Sequence, residues 1–282
     1  MSNLHVIKKN ILDNGIAAFH MVFSLYFIVF SLRILMAKDI FYGDQAVFKN
    51  LVGAAYKNDF ILFLFFLPDE FFISLPVIGI CLGVLLFVSS LFRLCNWRKF
   101  SLVGRWIFLF FWLILVLFFI RNPIVRSIHV DYLGWLALLN LFISFDRQES
   151  PDEVSFAAWC FFAGTYTMSG LKKLMTIEWR QGSAIELILK NEISRFDFSA
   201  QMTNMIHYLS PVLSYSVIFL ELFALFFIWK RKTKYFLLGA SFLMHLGILV
   251  LLRIEDLTIG ILVFHFFLLT TILHQEKIVS LN

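Results

Sequence analysis

The chain has 282 residues, of which 60% are hydrophobic, 18% aromatic and only 15% charged, and its formal net charge is +5. Because a soluble domain carries roughly a quarter charged residues, this composition excludes a soluble globular protein and makes the lipid bilayer the expected partner. The small excess of basic residues lies beside apolar runs, which argues against a nucleic-acid partner. Cys81, Cys95 and Cys160 also lie in or beside apolar runs, and their spacing indicates neither disulfides nor a metal site.

Apolar runs of about 20 residues predict an all-α polytopic membrane protein, with about eight transmembrane helices in one domain over residues 1–282. The predicted helices are 15–36, 72–93, 102–120, 128–145, 151–172, 211–229, 235–252 and 257–274. The first run is too long for the core of a signal peptide and no small-residue cleavage site follows it, so we expect it to be retained. A shorter run at 60–67 is expected to lie at the membrane surface or to re-enter the membrane.

The distribution of lysine and arginine predicts which side of the membrane each loop faces. The loops between helices 2 and 3 and between helices 6 and 7 are basic and contain no acidic residue. The positive-inside rule therefore makes these loops and both termini cytoplasmic, in a multi-pass protein of the cell membrane. Residues 37–71 and 174–210 are then extracytoplasmic. The loop between helices 4 and 5 is acidic, but acidic residues carry little weight in this rule.

Three short patterns predict where helices begin. Ser150-Pro151 and Ser210-Pro211 each place a capping serine before a proline, which is typical of a helix start, and they open predicted helices 5 and 6. Ser183 and Glu186 have the spacing of a capping box and open a short amphipathic helix over 183–190. We expect this to be an extracytoplasmic interfacial helix between helices 5 and 6.

Two lysines, Lys172 and Lys173, close the fifth predicted helix. Lysines at the end of a membrane helix commonly extend to the headgroups, and this is one interpretation of the pair. Tyr166, Gly170 and Lys173 are spaced by four and three residues, so they share a helix face on which the glycine marks close packing with another helix. The second interpretation is that Lys173, on this packed face, acts as a base, whereas Lys172 points away.

Three polar side chains are predicted at one level within the membrane. Glu221 lies near the centre of helix 6, where a charged group costs about 2.5–3.5 kcal/mol and so needs a partner or a task. At about 1.5 Å per residue, His245 and His265 fall at the height of Glu221. The cluster is interpreted as a structural hydrogen-bond network, as a proton relay or quinone-headgroup site, or as a Glu–His–His metal site, for which the sequence has no local ligand motif. The same counting places Lys173 about 34 Å along its helix, out of contact with this layer.

A set of ordered motifs covers nearly the whole chain. They are FYGD at 41–44, RNPIV at 121–125, DYLGWLALL at 131–139, YTMSGLKKL at 166–174 with Trp179 and Gly182 after it, the acidic residue in helix 6, and FLMHLGILVLL at 242–252. In this order they resemble the HTTM family, the membrane domain shared with vitamin K-dependent gamma-carboxylases.

The resemblance implies an enzyme of the carbon–carbon lyase type that acts on a peptide at the extracytoplasmic face, with a reduced, vitamin K-like quinone as cofactor. By residue-by-residue matching, Lys173 is the base that acts on the reduced quinone, and His129 is a candidate for the histidine that assists the carbanion step. Tyr166 and the polar layer are the candidates for binding the quinone.

An alternative function remains open beside the enzymatic one. Residues 275–282 follow helix 8, whereas the carboxylases carry a large lumenal domain there that helps to bind the propeptide, so the resemblance does not imply recognition of their type of peptide substrate. A family member of similar length and layout matures a secreted peptide toxin and lacks the lysine pair. The alternative is therefore a non-enzymatic membrane factor that binds a small secreted peptide, or a neighbouring membrane protein, during maturation or export. A transporter would predict an internal repeat, and none is visible in the sequence.

Overall fold

The computed structural model describes residues 2–42, 67–94, 101–121, 128–143 and 152–281. Within these residues the structure is helical, with one isolated bridge between Ser194 and Leu252, so the all-α prediction is confirmed. The run at 60–66, the helix start at Ser150 and Pro151, and most of the RNPIV motif lie outside the described residues.

The described residues form twelve helices. They are α1 (Ser2–Met36), α2 (Lys38–Phe41), α3 (Asp69–Leu94), α4 (Ser101–Arg121), α5 (Ile128–Asn140), α6 (Asp152–Met175), α7 (Ile177–Arg180), α8 (Ala184–Lys190), α9 (Ala200–Leu222), α10 (Ala224–Phe227), α11 (Arg231–Leu251) and α12 (Glu255–Leu281).

Four of the described helices are long and apolar enough to cross a membrane, which supports a membrane-embedded protein. The four segments are Gly15–Met36, Asp69–Phe92, Gln201–Leu222 and Arg231–Leu251, and shorter apolar segments occur at Gly104–Ile120 and Thr258–Ile272. The helix predicted over 128–145 is observed as α5, which ends earlier than predicted, at Asn140. The Asn140 amide donates to the Leu136 carbonyl at 2.7 Å, and its oxygen lies 2.9 Å from Nε2 of His20.

The chain divides into two compact units, Met1–Val154 with Leu269–Asn282, and Ser155–Leu268. In the first unit, α1 packs along α3 at small residues. A Cβ on Gly79 would lie 2.7 Å from Oγ of Ser31, and one on Gly83 would lie 2.5 Å from Cγ1 of Ile28. Aromatic rings join α1 to α4, with the ring centroids of Phe27 and Phe111 4.1 Å apart. These contacts explain why the phenylalanine-rich sequence forms closely packed helices.

The second unit contains the predicted site residues Tyr166, Lys173, Glu221, His245 and His265. In this unit, the segment that follows α6 turns back and runs along α9. Its carbonyls and amides bond to side chains of α9. The hydroxyl of Tyr215 donates to the Arg180 carbonyl at 2.8 Å, and the hydroxyl of Ser210 donates to the Gly182 carbonyl at 2.6 Å. This return segment carries the predicted short helix, which is α8.

The prediction that a helix begins at Ser210-Pro211 is wrong. The helix α9 begins eleven residues earlier at Ala200, with Ser199 as the N-cap accepting from the Met202 amide, and Pro211 lies inside it. Proline is tolerated inside membrane helices because neighbouring groups can satisfy the carbonyl that it leaves unpaired. Ser210, which precedes this proline, does not cap a helix; its hydroxyl bonds to the return segment.

Candidate active site

The predicted face of α6 does pack closely against another helix. Ala163 and Tyr166 are buried, and a Cβ on Gly170 would lie 2.7 Å from the backbone nitrogen of Leu222 in α9. Only a glycine allows two helix backbones to approach this closely. The glycine therefore brings the last turns of α6 and α9 together, and these turns carry Lys173 and Glu221.

Lys173 forms an ion pair with Glu221. Its Nζ lies 2.7 Å from Oε1 and 2.6 Å from Oε2 of the carboxylate, and 2.8 Å from Oγ of Ser169. The ring of Trp179 covers the same ammonium, with its centroid 5.1 Å from Nζ. The side chain of Lys173 is 20% exposed and that of Glu221 is 7% exposed. The amine is thus held by protein groups on three sides, whereas Lys172 is exposed as predicted.

The prediction that Lys173 and Glu221 are not in contact is wrong, for two physical reasons. Side chains on a helix lean toward its N-terminus, so Nζ of Lys173 reaches back one turn to Ser169 instead of extending past the helix end. The counting also assumed that neighbouring helices begin at the same level. Nζ of Lys234, in the first turn of α11, lies 5.5 Å from the ring of Trp159, about two turns into α6, so the two helices do not begin at the same level.

The two predicted histidines are neighbours in the second unit. The ring centroids of His245 and His265 lie 5.8 Å apart. Nε2 of His245 is 2.6 Å from the hydroxyl oxygen of Tyr166, and Nε2 of His265 is 2.7 Å from Oγ of Ser241. Both rings are buried. Of the three side chains predicted to form a polar layer, the two histidines are therefore neighbours, and His245 is joined through Tyr166 to the face of α6 that carries Lys173. The third, Glu221, belongs to the ion pair.

One nitrogen atom of this cluster has no hydrogen-bond partner in the part of the chain that the structure describes. Nδ1 of His265 bonds to the Ile261 carbonyl at 2.8 Å, but Nδ1 of His245 is buried and has no hydrogen-bond partner among the described residues. A buried polar atom without a partner is costly, and in native proteins it commonly meets a water or a ligand. His245 is therefore the position in this cluster where a bound polar group would gain a hydrogen bond.

The return segment after α6 fixes Trp179 over Lys173. Gly182 has a φ of 76°, in the left-handed region, and a Cβ there would lie 2.8 Å from Cα of Pro211. The predicted capping box does not form, because Ser183 makes no side-chain cap and its hydroxyl bonds to the Glu178 carbonyl instead. The amide of Glu186 is satisfied by Ser210 of α9 at 3.1 Å. Tertiary contacts thus replace the local cap.

Glu186, in the short helix α8, joins that helix to α9. Its carboxylate accepts from Nζ of Lys190 at 2.6 Å and lies 2.7 Å from Nδ1 of His207. The hydrogen bond from Lys190 and then that from His207 lower the pKa of Glu186 below its ordinary value. The predicted polar side of this helix is therefore an attachment to the neighbouring helix.

The remaining predictions concern His129 and metal binding. His129 lies in the first turn of α5, in the first unit, and its side chain is outside those that the structure describes. Among the described residues, no group of three histidine, cysteine or acidic side chains is placed to hold a metal ion. Sequence reasoning missed Ser169 and the cover of Trp179 over Lys173, although both lie at or within about two turns of the lysine pair.

Comparisons with known proteins identify no family for this chain. No family model, no curated protein and no solved structure matches the chain. The resemblance to the HTTM family therefore rests on the ordered motifs in the sequence alone.

Proposed function

We propose that this chain is an integral membrane enzyme, resembling the vitamin K-dependent gamma-carboxylases, in which Lys173 is the base and Glu221 its proton partner. The observation that carries the proposal is the ion pair of Lys173 and Glu221 beneath the Trp179 ring. A lysine held only by headgroups would have no fixed direction, whereas this amine is oriented by three protein groups.

The ion pair can move a proton in two steps. Lys173 first passes a proton to Glu221, which leaves a neutral amine and a neutral acid. The amine then accepts a proton from an acidic hydroxyl of the substrate or cofactor. Ser169 holds Nζ in place throughout, since its hydroxyl accepts from the amine in the present arrangement. Lys173 ends as an ammonium, and Glu221 retains the first proton until it is released.

The residues near this pair fit a reduced quinone. A quinol carries hydroxyl groups on a flat ring, and the second unit offers a buried Nδ1 on His245 that no described residue bonds to, among aromatic rings. Tyr166, His245, His265 and Glu221 are the residues that would hold its polar groups. When bound, a quinol would supply the electrons for the oxidative step that the resemblance implies. This chain's contribution is to orient the hydroxyl, to exclude water and to take its proton at Nζ of Lys173.

We also propose how the chain is arranged in the membrane. Four described helices satisfy the requirements for crossing a membrane, and we propose about eight spans with both termini cytoplasmic and with α8 at the extracytoplasmic surface of a cell membrane. In this arrangement Glu221 lies about 27 Å along α9 from the first turn of that helix, at its extracytoplasmic end, so a peptide substrate would have to enter the membrane to reach Lys173. Labelling of single cysteines introduced at residues 186 and 232 with a membrane-impermeant maleimide tests this arrangement. Reaction in intact cells is expected at 186 and not at 232, and the reverse pattern would contradict the orientation.

A second candidate function rests on the same ion pair. A buried salt bridge between two helices can be a purely structural tie, and the protein would then be a non-enzymatic membrane factor for the maturation or export of a secreted peptide. This candidate predicts that a small peptide or a neighbouring membrane protein co-purifies with the chain. It also predicts that any variant that keeps the fold keeps the function.

The experiment compares the two adjacent lysines in purified, lipid-reconstituted protein. We would measure vitamin K hydroquinone oxidation and the incorporation of labelled carbon dioxide into glutamate-containing peptides for the wild type, Lys173→Ala and Lys172→Ala. Loss of both activities in Lys173→Ala only, at equal expression, is the expected result. Equal rates in the two variants, or no turnover by the wild type, would contradict the enzymatic proposal.

A further inference from the structure

A polar cavity of about 620 Å³ lies in the second unit, away from the ion pair. Its charged and aromatic lining consists of Lys190, Glu192, Asp197, Arg253, Phe196 and Phe198. The cavity also includes Thr203 in the first turn of α9, and Glu221 lies eighteen residues further along that helix, or about 27 Å. The cavity is therefore separate from the candidate active site.

The cavity is positioned at the ends of two candidate membrane spans. Thr203 lies at the start of the segment Gln201–Leu222, and Arg253 follows the segment Arg231–Leu251 by two residues. The ends of spanning helices lie in the headgroup layer of a bilayer. The ligand that this cavity meets first in a membrane is therefore a lipid headgroup.

Backbone pairing fixes one wall of the cavity. The amide of Arg195 donates to the Leu251 carbonyl at 2.9 Å, and the amide of Arg253 donates to the Ile193 carbonyl at 2.7 Å. These bonds flank the bridge between Ser194 and Leu252. The backbone that carries Arg253 is therefore tied to the loop that carries Glu192 and Asp197, and the cationic and anionic side chains share one site.

Because the lining contains both positively and negatively charged side chains, it complements a ligand that carries one charge of each sign. The guanidinium of Arg253 matches a phosphate, to which it can donate two parallel hydrogen bonds. Glu192 and Asp197 would oppose a simple anion, and Arg253 and Lys190 would oppose a simple cation. The rings of Phe196 and Phe198, with centroids 6.3 Å apart, offer an apolar surface that also attracts an ammonium.

We propose that this cavity binds a ligand that combines a phosphate with a primary ammonium, the chemistry of a phosphoethanolamine headgroup. Arg253 binds the phosphate, and Asp197 and Glu192 accept hydrogen bonds from the ammonium. A primary ammonium donates hydrogen bonds to carboxylates, which a quaternary ammonium cannot do, so phosphatidylethanolamine is preferred to phosphatidylcholine. A phosphoglycerol headgroup lacks the ammonium, so its hydroxyl groups can donate to the carboxylates but leave both negative charges uncompensated.

The test measures lipid retention by native mass spectrometry on the full chain in detergent, with phosphatidylethanolamine, phosphatidylcholine and phosphatidylglycerol added singly. We expect phosphatidylethanolamine to be retained at least about tenfold more tightly than the other two. Arg253→Gln should weaken retention of phosphatidylethanolamine by about tenfold, whereas Asp197→Asn should remove its preference over phosphatidylglycerol. Lys232→Gln, an exposed lysine at the other end of α11, is the matched control and should change nothing.

A competition arm distinguishes a lipid from a soluble ligand of the same chemistry. Displacement of the lipid by millimolar glycerophosphoethanolamine would assign the site to the headgroup alone, and failure of displacement would assign it to the whole lipid; both support the proposal. Equal retention of the three lipids, or equal effects of Arg253→Gln and Lys232→Gln, would overturn it. Because every variant keeps Lys173 and Glu221, this result is independent of the proposed enzymatic function.

Discussion

Gly170 of α6 lies directly against the backbone of Leu222 in α9, so close that a Cβ on the glycine would fall 2.7 Å from the leucine nitrogen and 3.1 Å from the carbonyl carbon of Glu221. The ion pair of Lys173 and Glu221 forms one turn away from this contact. The glycine therefore sets the distance at which the lysine meets its carboxylate.

Gly170→Ala is expected to destabilise the protein by about 1–3 kcal/mol, because the atoms that meet the new methyl group belong to the backbone and cannot move aside. The melting temperature in a fixed detergent measures the loss. Gly164→Ala is the matched control on the same helix, since among the described residues nothing beyond its chain neighbours and its own helix backbone lies within 4 Å of its Cβ position. If both variants melt at the same temperature, the close approach of α6 and α9 does not exist.

Gly182→Ala tests the turn that places Trp179 over Lys173. At a φ of 76° an alanine is strained, and its Cβ would also meet Pro211 at 2.8 Å, so we expect a loss of about 1–3 kcal/mol. The measurement is thermal unfolding combined with the accessibility of Trp179 to a soluble quencher in a variant with the other tryptophans replaced by phenylalanine. Unchanged stability and unchanged quenching would show that this turn is not fixed by the glycine.

Tyr166→Phe tests the histidine cluster. Removing the hydroxyl leaves both nitrogens of the buried His245 without a partner among the described residues, which should cost about 1–3 kcal/mol and weaken the binding of a vitamin K-type quinone. Equilibrium binding of the oxidised quinone measures the second effect separately from activity. Tyr208→Phe, at a side chain that is 79% exposed, is the control. Equal quinone binding by the two variants would exclude Tyr166 and His245 from the quinone site.

The attachment of α8 to α9 is expected to weaken in acid. The pKa of Glu186 is lowered by Lys190 and His207, so its contribution to stability is present above the ordinary carboxyl pKa and is lost as the pH falls through the lowered value. Hydrogen exchange of amides 186–190 between pH 6 and 3 measures this loss. Glu186→Gln should remove the pH dependence and Glu178→Gln should keep it. A dependence that survives Glu186→Gln would assign the effect to another group.

Much of the architecture could be predicted from patterns that are local in sequence. The stripe of Tyr166, Gly170 and Lys173 is visible at helical spacing, and the structure confirms that it is the packed face. The common level of His245 and His265 followed from counting residues on either side of the turn that joins their helices, and the structure places the two rings 5.8 Å apart. Eight spans remain a proposal, since four helices in the described residues meet the requirements.

The errors came from long-range contacts. Ser210-Pro211 carries the local signature of a helix start, but Ser210 bonds to the return segment from inside α9, a use that no local pattern reveals. The contact of Lys173 with Glu221 depends on the offset between the starts of α6 and α11 and on the direction of one flexible side chain. Both are properties of packing between distant segments, so counting residues along single helices could not find them.

The exchange of Lys173 and Glu221 tests the central claim most directly. Lys173→Glu and Glu221→Lys should each destabilise the protein by about 3–5 kcal/mol, because each leaves buried like charges, and the double variant should recover most of this loss. A base at Lys173 predicts that the double variant folds but neither oxidises the quinol nor incorporates carbon dioxide. If both activities return together with the melting temperature, the pair is a structural tie and Lys173 is not the base.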